Sequence, residues 1–95
     1  MMEYTKGQIV FSKCGHDKGK AYIISDIEGE ILYLVDGKNR TLEKAKKKKN
    51  KHVQITGYII EDIKAKLEDK TIINSDLIKA LKAYKNKFLS SSKEV

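Results

Sequence analysis

The sequence predicts a mainly β fold with C-terminal helices, an α+β class in which a small five-stranded barrel is followed by a two-helix appendage. Three observations carry that expectation. As far as residue 58 the chain consists of short runs rich in Ile, Val, Tyr and Leu separated by turn-forming clusters, and beyond it the apolar period becomes helical. The third is Asp36-Gly37, a strong signal for a two-residue hairpin, because a type I′ turn needs positive φ at both central residues.

The first strand is expected in "GQIVFSK" (7–13) and the second in "KAYIISDI" (20–27). The intervening "SKCGHDKGK" is a loop. Gly15 and Gly19 admit conformations that other residues resist, and Asp17 can close a local turn through its own side chain. "EGE" (28–30) makes a tight turn into a third strand, "EILYLVD" (30–36). After Asp36-Gly37 a fourth strand is expected in "RTLEK" (40–44), and a fifth, shorter one in "HVQITGYI" (52–59). Five short strands in about fifty residues suit a small, strongly bent barrel better than a sandwich.

In the second half Ile60, Ile63 and Leu67 share one helical face. Leu77, Leu81, Tyr84 and Phe88 share another, with Ile78 widening the stripe. Asn74 or Ser75 can cap the second helix, and Asp76 sits near its positive end. Two such short helices are not stable alone, so their stripes should dock on each other and on the barrel. The expected organisation is a barrel over 1–58 with a basic segment at 38–52, a packed helical pair at 59–89, and a frayed end at 90–95.

Charge points to the class of partner. The 95 residues carry a net +7, with an isoelectric point near 9.4. Residues 38–52 hold eight basic side chains against Glu43 alone, a local balance of +7 that equals the total for the chain. The basicity is therefore a patch, and a patch of this sign favours a polyanion, nucleic acid before a membrane surface. Cys14 is the only cysteine, which excludes an internal disulfide and the usual Cys/His zinc sites. "MMEYTKGQ" has no apolar stretch suited to a signal peptide, and "ILYLV" is far too short to span a bilayer. A cytoplasmic protein without a cofactor is expected, with no membrane partner and no small-molecule substrate.

"GQIVFSKCGHDKGKAYII" followed by "YLVDGKNRTLEKAKKKKNKHVQ" resembles the KOW domain. The version resembled is that of a small large-subunit ribosomal protein of archaea and eukaryotes, and of the short bacterial KOW-domain RNA-binding proteins related to it. The resemblance covers about residues 7–56. It rests on Gly7, on Gly15-His16-Asp17-Lys18-Gly19, on Asp36-Gly37-Lys38, and on Leu42-Glu43-Lys44 running into the lysines and Lys51-His52. It implies an SH3-like barrel that binds structured RNA, often ribosomal RNA or a ribosome assembly intermediate, with ribosomal proteins as further partners.

Within that frame Lys44, Lys46, Lys47, Lys48, Lys49 and Lys51 form an expected phosphate-binding ridge, since lysines act as mobile point charges that read no sequence. Six neutralised phosphates on single-stranded or loop RNA would give a slope of log K against log salt of about −4. The competing reading is a solvated block that only aids solubility. Lys13, His16, Lys18 and Lys20 project from the glycine loop as expected RNA contacts, besides the turn that Gly15 and Gly19 must make in any case. Lys38 and His52 bound the basic segment. Arg40, the only arginine, suits bidentate recognition of phosphate or a guanine edge, or else pairs with Glu43 or a neighbouring acid. Tyr22 and Tyr33 are expected in or near the core, and Tyr84 and Phe88 in packing.

His16 lacks companions for a metal site, and nothing orients Cys14 and His16 as nucleophile and base. No paired carboxylates or phosphate loop suggest an enzyme. The rival to RNA binding is a protein-interaction module of the transcription or translation machinery, using the barrel and the helical pair.

Overall fold

A computed structural model of the chain describes residues 4–88. Within them five strands form one antiparallel sheet: β1 Gln8–Ser12, β2 Ala21–Glu28, β3 Ile31–Val35, β4 Lys46–Lys49 and β5 Val53–Ile59. Two helices follow, α1 Glu61–Glu68 and α2 Asn74–Phe88. The end of the expected helical pair at Leu89 and the expected frayed stretch 90–95 lie outside the described residues.

The expected closed SH3-like barrel does not form. Strand order is β4-β3-β2-β1-β5, with β4 paired only to β3 and β5 only to β1, so the sheet is open and has two edges. A single 3-10 turn, Asn50–His52, carries the chain from one edge to the other with no ladder between them. The sheet is nevertheless curled. Val53 of β5 shares an apolar cluster with Leu32 and Leu34 of β3, three strand positions away, and strands about 4.8 Å apart allow that only on a concave face. Register shifts between Ile24 and Asp26 and between Gln8 and Val10 accompany the bend. The turn between the two edges is held from the N-terminal side, where the Tyr4 hydroxyl donates to the Asn50 carbonyl at 3.3 Å.

Both faces of the central strands are buried, which is why β1 and β2 read as continuous apolar runs. Val10, Tyr22, Ile24, Leu32, Leu34 and Val53 line the concave face. Ile9, Ala21, Ile23 and Val35 point the other way and meet Ile63 of α1 and Leu77, Leu81 and Tyr84 of α2. The helical stripes pack as their spacing predicts, with two exceptions at the margin: Ile78 is 41% and Phe88 46% exposed.

Three local expectations are corrected. The fourth strand is the lysine run itself; Leu42–Lys44, within the stretch read as a strand, is a 3-10 turn. Asp36-Gly37 is not a two-residue hairpin. Gly37 has a φ of +84° but Asp36 does not share its sign, and ten residues separate β3 from β4. The Asp36 carboxylate instead accepts from the backbone N–H of Lys38 and of Arg40, at 2.9 and 2.8 Å, and orders the loop. Gly37 is where α2 sits down: a Cβ there would collide with the Asn74 carbonyl and lie 3.0 Å from Leu77 Cβ. Asn74 does not cap its own helix through its side chain either. Its Oδ1 accepts from Leu42 N at 2.8 Å, tying the loop to the start of α2.

Candidate nucleic-acid interface

Four consecutive lysines can form a strand because a backbone ladder is indifferent to side-chain charge, provided alternate side chains find tolerable surroundings. Side chains along β4 alternate between faces. Lys46 and Lys48 stand opposite Leu34 and Leu32, on the concave side, whereas Lys47 and Lys49 stand opposite Tyr33 and Ile31 and point outward.

The inward pair is neutralised. Lys48 Nζ donates to Ser12 Oγ at 2.8 Å, to the Cys14 carbonyl at 2.9 Å and to Asp17 Oδ1 at 2.9 Å, which uses all three of its protons. Lys46 Nζ lies 3.5 Å from the other Asp17 oxygen. Asp17 is buried and also accepts from the hydroxyls of Ser12, at 2.8 Å, and Tyr22, at 3.3 Å. Burial pushes its carboxyl up. The hydrogen bonds from Lys48 and Ser12 and the charges of Lys48 and Lys46 outweigh that, holding it well below the usual carboxylate range. The Tyr22 phenol is pushed up to about 12, by burial first and then by the charge and hydrogen bond of Asp17.

The Asp17 side chain does span the glycine loop, as the sequence suggested, through the bond from Ser12 Oγ, but it is not the loop's main closure. Backbone bonds close it as well: Lys18 N to the Gly15 carbonyl, Lys20 N to the Asp17 carbonyl and Gly19 N to the Ser12 carbonyl, with Gly15 and Gly19 both at positive φ. The carboxylate turns inward and fastens the loop to β4. Lys13, His16, Lys18 and Lys20 are left exposed on its outside. Lys13 N donates to the His52 carbonyl at 2.9 Å, joining the loop to the far end of the basic segment; His52 itself is half-buried.

The loop after β3 completes the surface. His16, Lys20, Arg40 and Lys46 converge around a shallow cleft of about 300 Å³ with Asp17 and Tyr22 in its lining. Glu43, the acid considered as a partner for Arg40, is engaged instead by the Asn74 amide at 3.2 Å. Lys44, Lys47, Lys49 and Lys51 are exposed, and among the described residues no carboxylate lies within salt-bridge distance of them. Lys47 Nζ sits 5.7 Å from the centre of the Tyr33 ring.

The expected contact residues thus fall into two sets. Lys13, His16, Lys18, Lys20, Lys38, Arg40, Lys44, Lys47, Lys49, Lys51 and His52 reach solvent at least in part, whereas Lys48 is consumed in the fold and Lys46 is half-consumed. Sequence reasoning does not single out Lys82 and Lys85 of α2, which line a groove of about 670 Å³ together with Lys20 and Lys38. Their three-residue spacing is visible in the sequence; the direction in which α2 presents them is not.

Among the described residues no group of three or more His, Cys, Asp or Glu could hold a metal ion, and no helix is long and apolar enough to cross a membrane. No protein-family model matches the chain, and no curated protein matches it at significance.

Proposed function

We propose that the protein binds structured RNA without catalysis, gripping the phosphate backbone through the outward lysines of β4 and the glycine loop beside them. Ribosomal RNA is the kind that the sequence resemblance to KOW-domain proteins implies. The observation that carries the proposal is the sorting of the lysine run. A strand fixed between β3 and a buried carboxylate holds Lys47 and Lys49 outward, about 6.8 Å apart along the chain. Lys44 and Lys51 flank them, and the loop bearing Lys13, His16, Lys18 and Lys20 is bolted alongside by Lys48. Lysines on a rigid support lose less freedom on binding than lysines on a tail, and their partners are phosphates rather than bases.

The test is a titration of a labelled RNA hairpin at several potassium chloride concentrations. Log K for the wild type should fall linearly with log salt. In K44Q/K47Q/K49Q/K51Q, which spares the inward pair, the slope should be shallower by about 3 to 4, since four phosphates go unneutralised and each accounts for about 0.7 in an unpaired loop and about 0.9 in a duplex stem. Circular dichroism should be unchanged. Wild-type affinity indifferent to salt, or a variant that titrates like the wild type, overturns the proposal.

A further inference from the structure

The groove against α2 is built differently from the β4 ridge. Its floor is apolar, with Phe11, Ile78 and Leu81, and its rim is cationic, with Lys20 and Lys38 on the loop side and Lys82 and Lys85 on the helix side. Ile78 is 41% exposed there, one residue off the buried stripe of α2, and Phe11 is half-buried. The one carboxylate among the described residues of the lining, Asp36, already accepts two backbone hydrogen bonds. Lys20 and Asn39 belong both to this groove and to the smaller cleft with His16 and Arg40, so the two depressions adjoin, and the groove with its neighbour is termed the trough.

An apolar floor between two cationic rims matches a chain whose planar apolar groups and negative charges alternate. Base stacking on an aromatic ring is tolerant of sequence, and lysine rims follow the backbone; Phe11 is the aromatic residue of this floor, with Ile78 as the exposed aliphatic beside it. An amphipathic protein helix needs a longer apolar stripe, with anchors spaced over at least two turns. Here the apolar floor stops where the polar lining of the cleft begins.

We infer that the trough between α2 and the glycine loop takes an unpaired stretch of RNA, with a base against Ile78, Leu81 and Phe11 and the flanking phosphates at Lys20, Lys38, Lys82 and Lys85. The inference rests on the RNA-binding reading above and adds a preference to it: RNA with an unpaired segment binds more tightly than a blunt duplex.

Two RNAs of equal length distinguish the readings, a blunt hairpin and one with a three-nucleotide bulge. Wild type should prefer the bulged RNA. K82Q/K85Q should lose about tenfold on the bulged RNA and almost nothing on the blunt one, whereas K44Q/K47Q/K49Q/K51Q should weaken both. Abasic sugars in the bulge, which keep the phosphates, should cost the wild type about tenfold and I78N almost nothing further. If wild type binds both RNAs equally, or if K82Q/K85Q leaves the bulged RNA untouched, the trough is not an RNA site and the ridge reading stands alone. An acidic amphipathic peptide that binds in an Ile78-dependent way, while bulged RNA does not, also overturns the inference and assigns the trough to protein. Failure of wild type to bind either RNA sinks the parent reading instead.

Discussion

Asp17 accepts hydrogen bonds from three side chains and supplies the negative charge for two lysines. Removing one member of such a buried set strands the others, so D17N should destabilise the fold by about 3 kcal/mol, chiefly by leaving Lys48 unpaired. A second change, K48M, removes the stranded charge; D17N/K48M should recover at least half of the loss in a urea-denaturation cycle. Independent, additive losses would show that the pair is not coupled. The acid limb carries a separate signature. The native carboxyl sits below the ordinary 3.8, so the unfolded chain takes up a proton that the native one refuses as pH falls below that value. Stability from this source is complete above the ordinary carboxylate range and is lost progressively toward more acid pH. D17N lacks that component, and the wild-type and D17N stability curves should converge on acidification. Parallel curves would assign the network no role.

At the scale of elements, Gly37 and β4 each answer to a neighbour that the local sequence does not name. Gly37→Ala meets both a positive φ and the backbone of α2, and should cost about 3 kcal/mol. Gly29→Ala has a φ of +62° but open space around it, and should cost about 1 kcal/mol. Thermal unfolding of the two variants separates packing from conformation; equal losses would mean that α2 does not press on Gly37. The open sheet gives β4 a second duty. It is an edge strand, and lysines on an edge discourage pairing with another chain. Replacing Lys47 and Lys49 by Val should shift sedimentation toward larger species at micromolar concentration, whereas K47Q/K49Q should remain at the wild-type position.

Across the whole molecule the sheet and helices share one core, since Ile9, Ala21, Ile23 and Val35 are covered by α1 and α2. Leu77 is fully buried there. Leu77→Ala should cost about 3 kcal/mol from reduced burial and the cavity left behind. It should lower the unfolding midpoints followed by helix and by tyrosine signals together. Helices that melt first while the sheet persists would show two units instead of one. The same arrangement shapes the proposed interface, because α2 is both the cover of the core and the wall that carries Lys82 and Lys85.

Four of the five strands, the two helices and their buried stripes are legible in the amino-acid order, because these follow from apolar period; the strand expected over 40–44 is not among them. So are the places of the basic segment and the glycine loop along the chain. That "KKKK" would be a strand is not legible, since its side chains argue against burial and only pairing with β3 makes their alternation matter. Nor does local sequence reveal that Asp17 faces inward, that Gly37 seats a helix instead of turning a hairpin, or that the sheet stays open. Those outcomes depend on contacts between residues thirty or more positions apart, such as Asp17 with Lys48 and Gly37 with Asn74. Periodicity reports which face a side chain takes; what that face meets is set by the folding of distant segments onto one another.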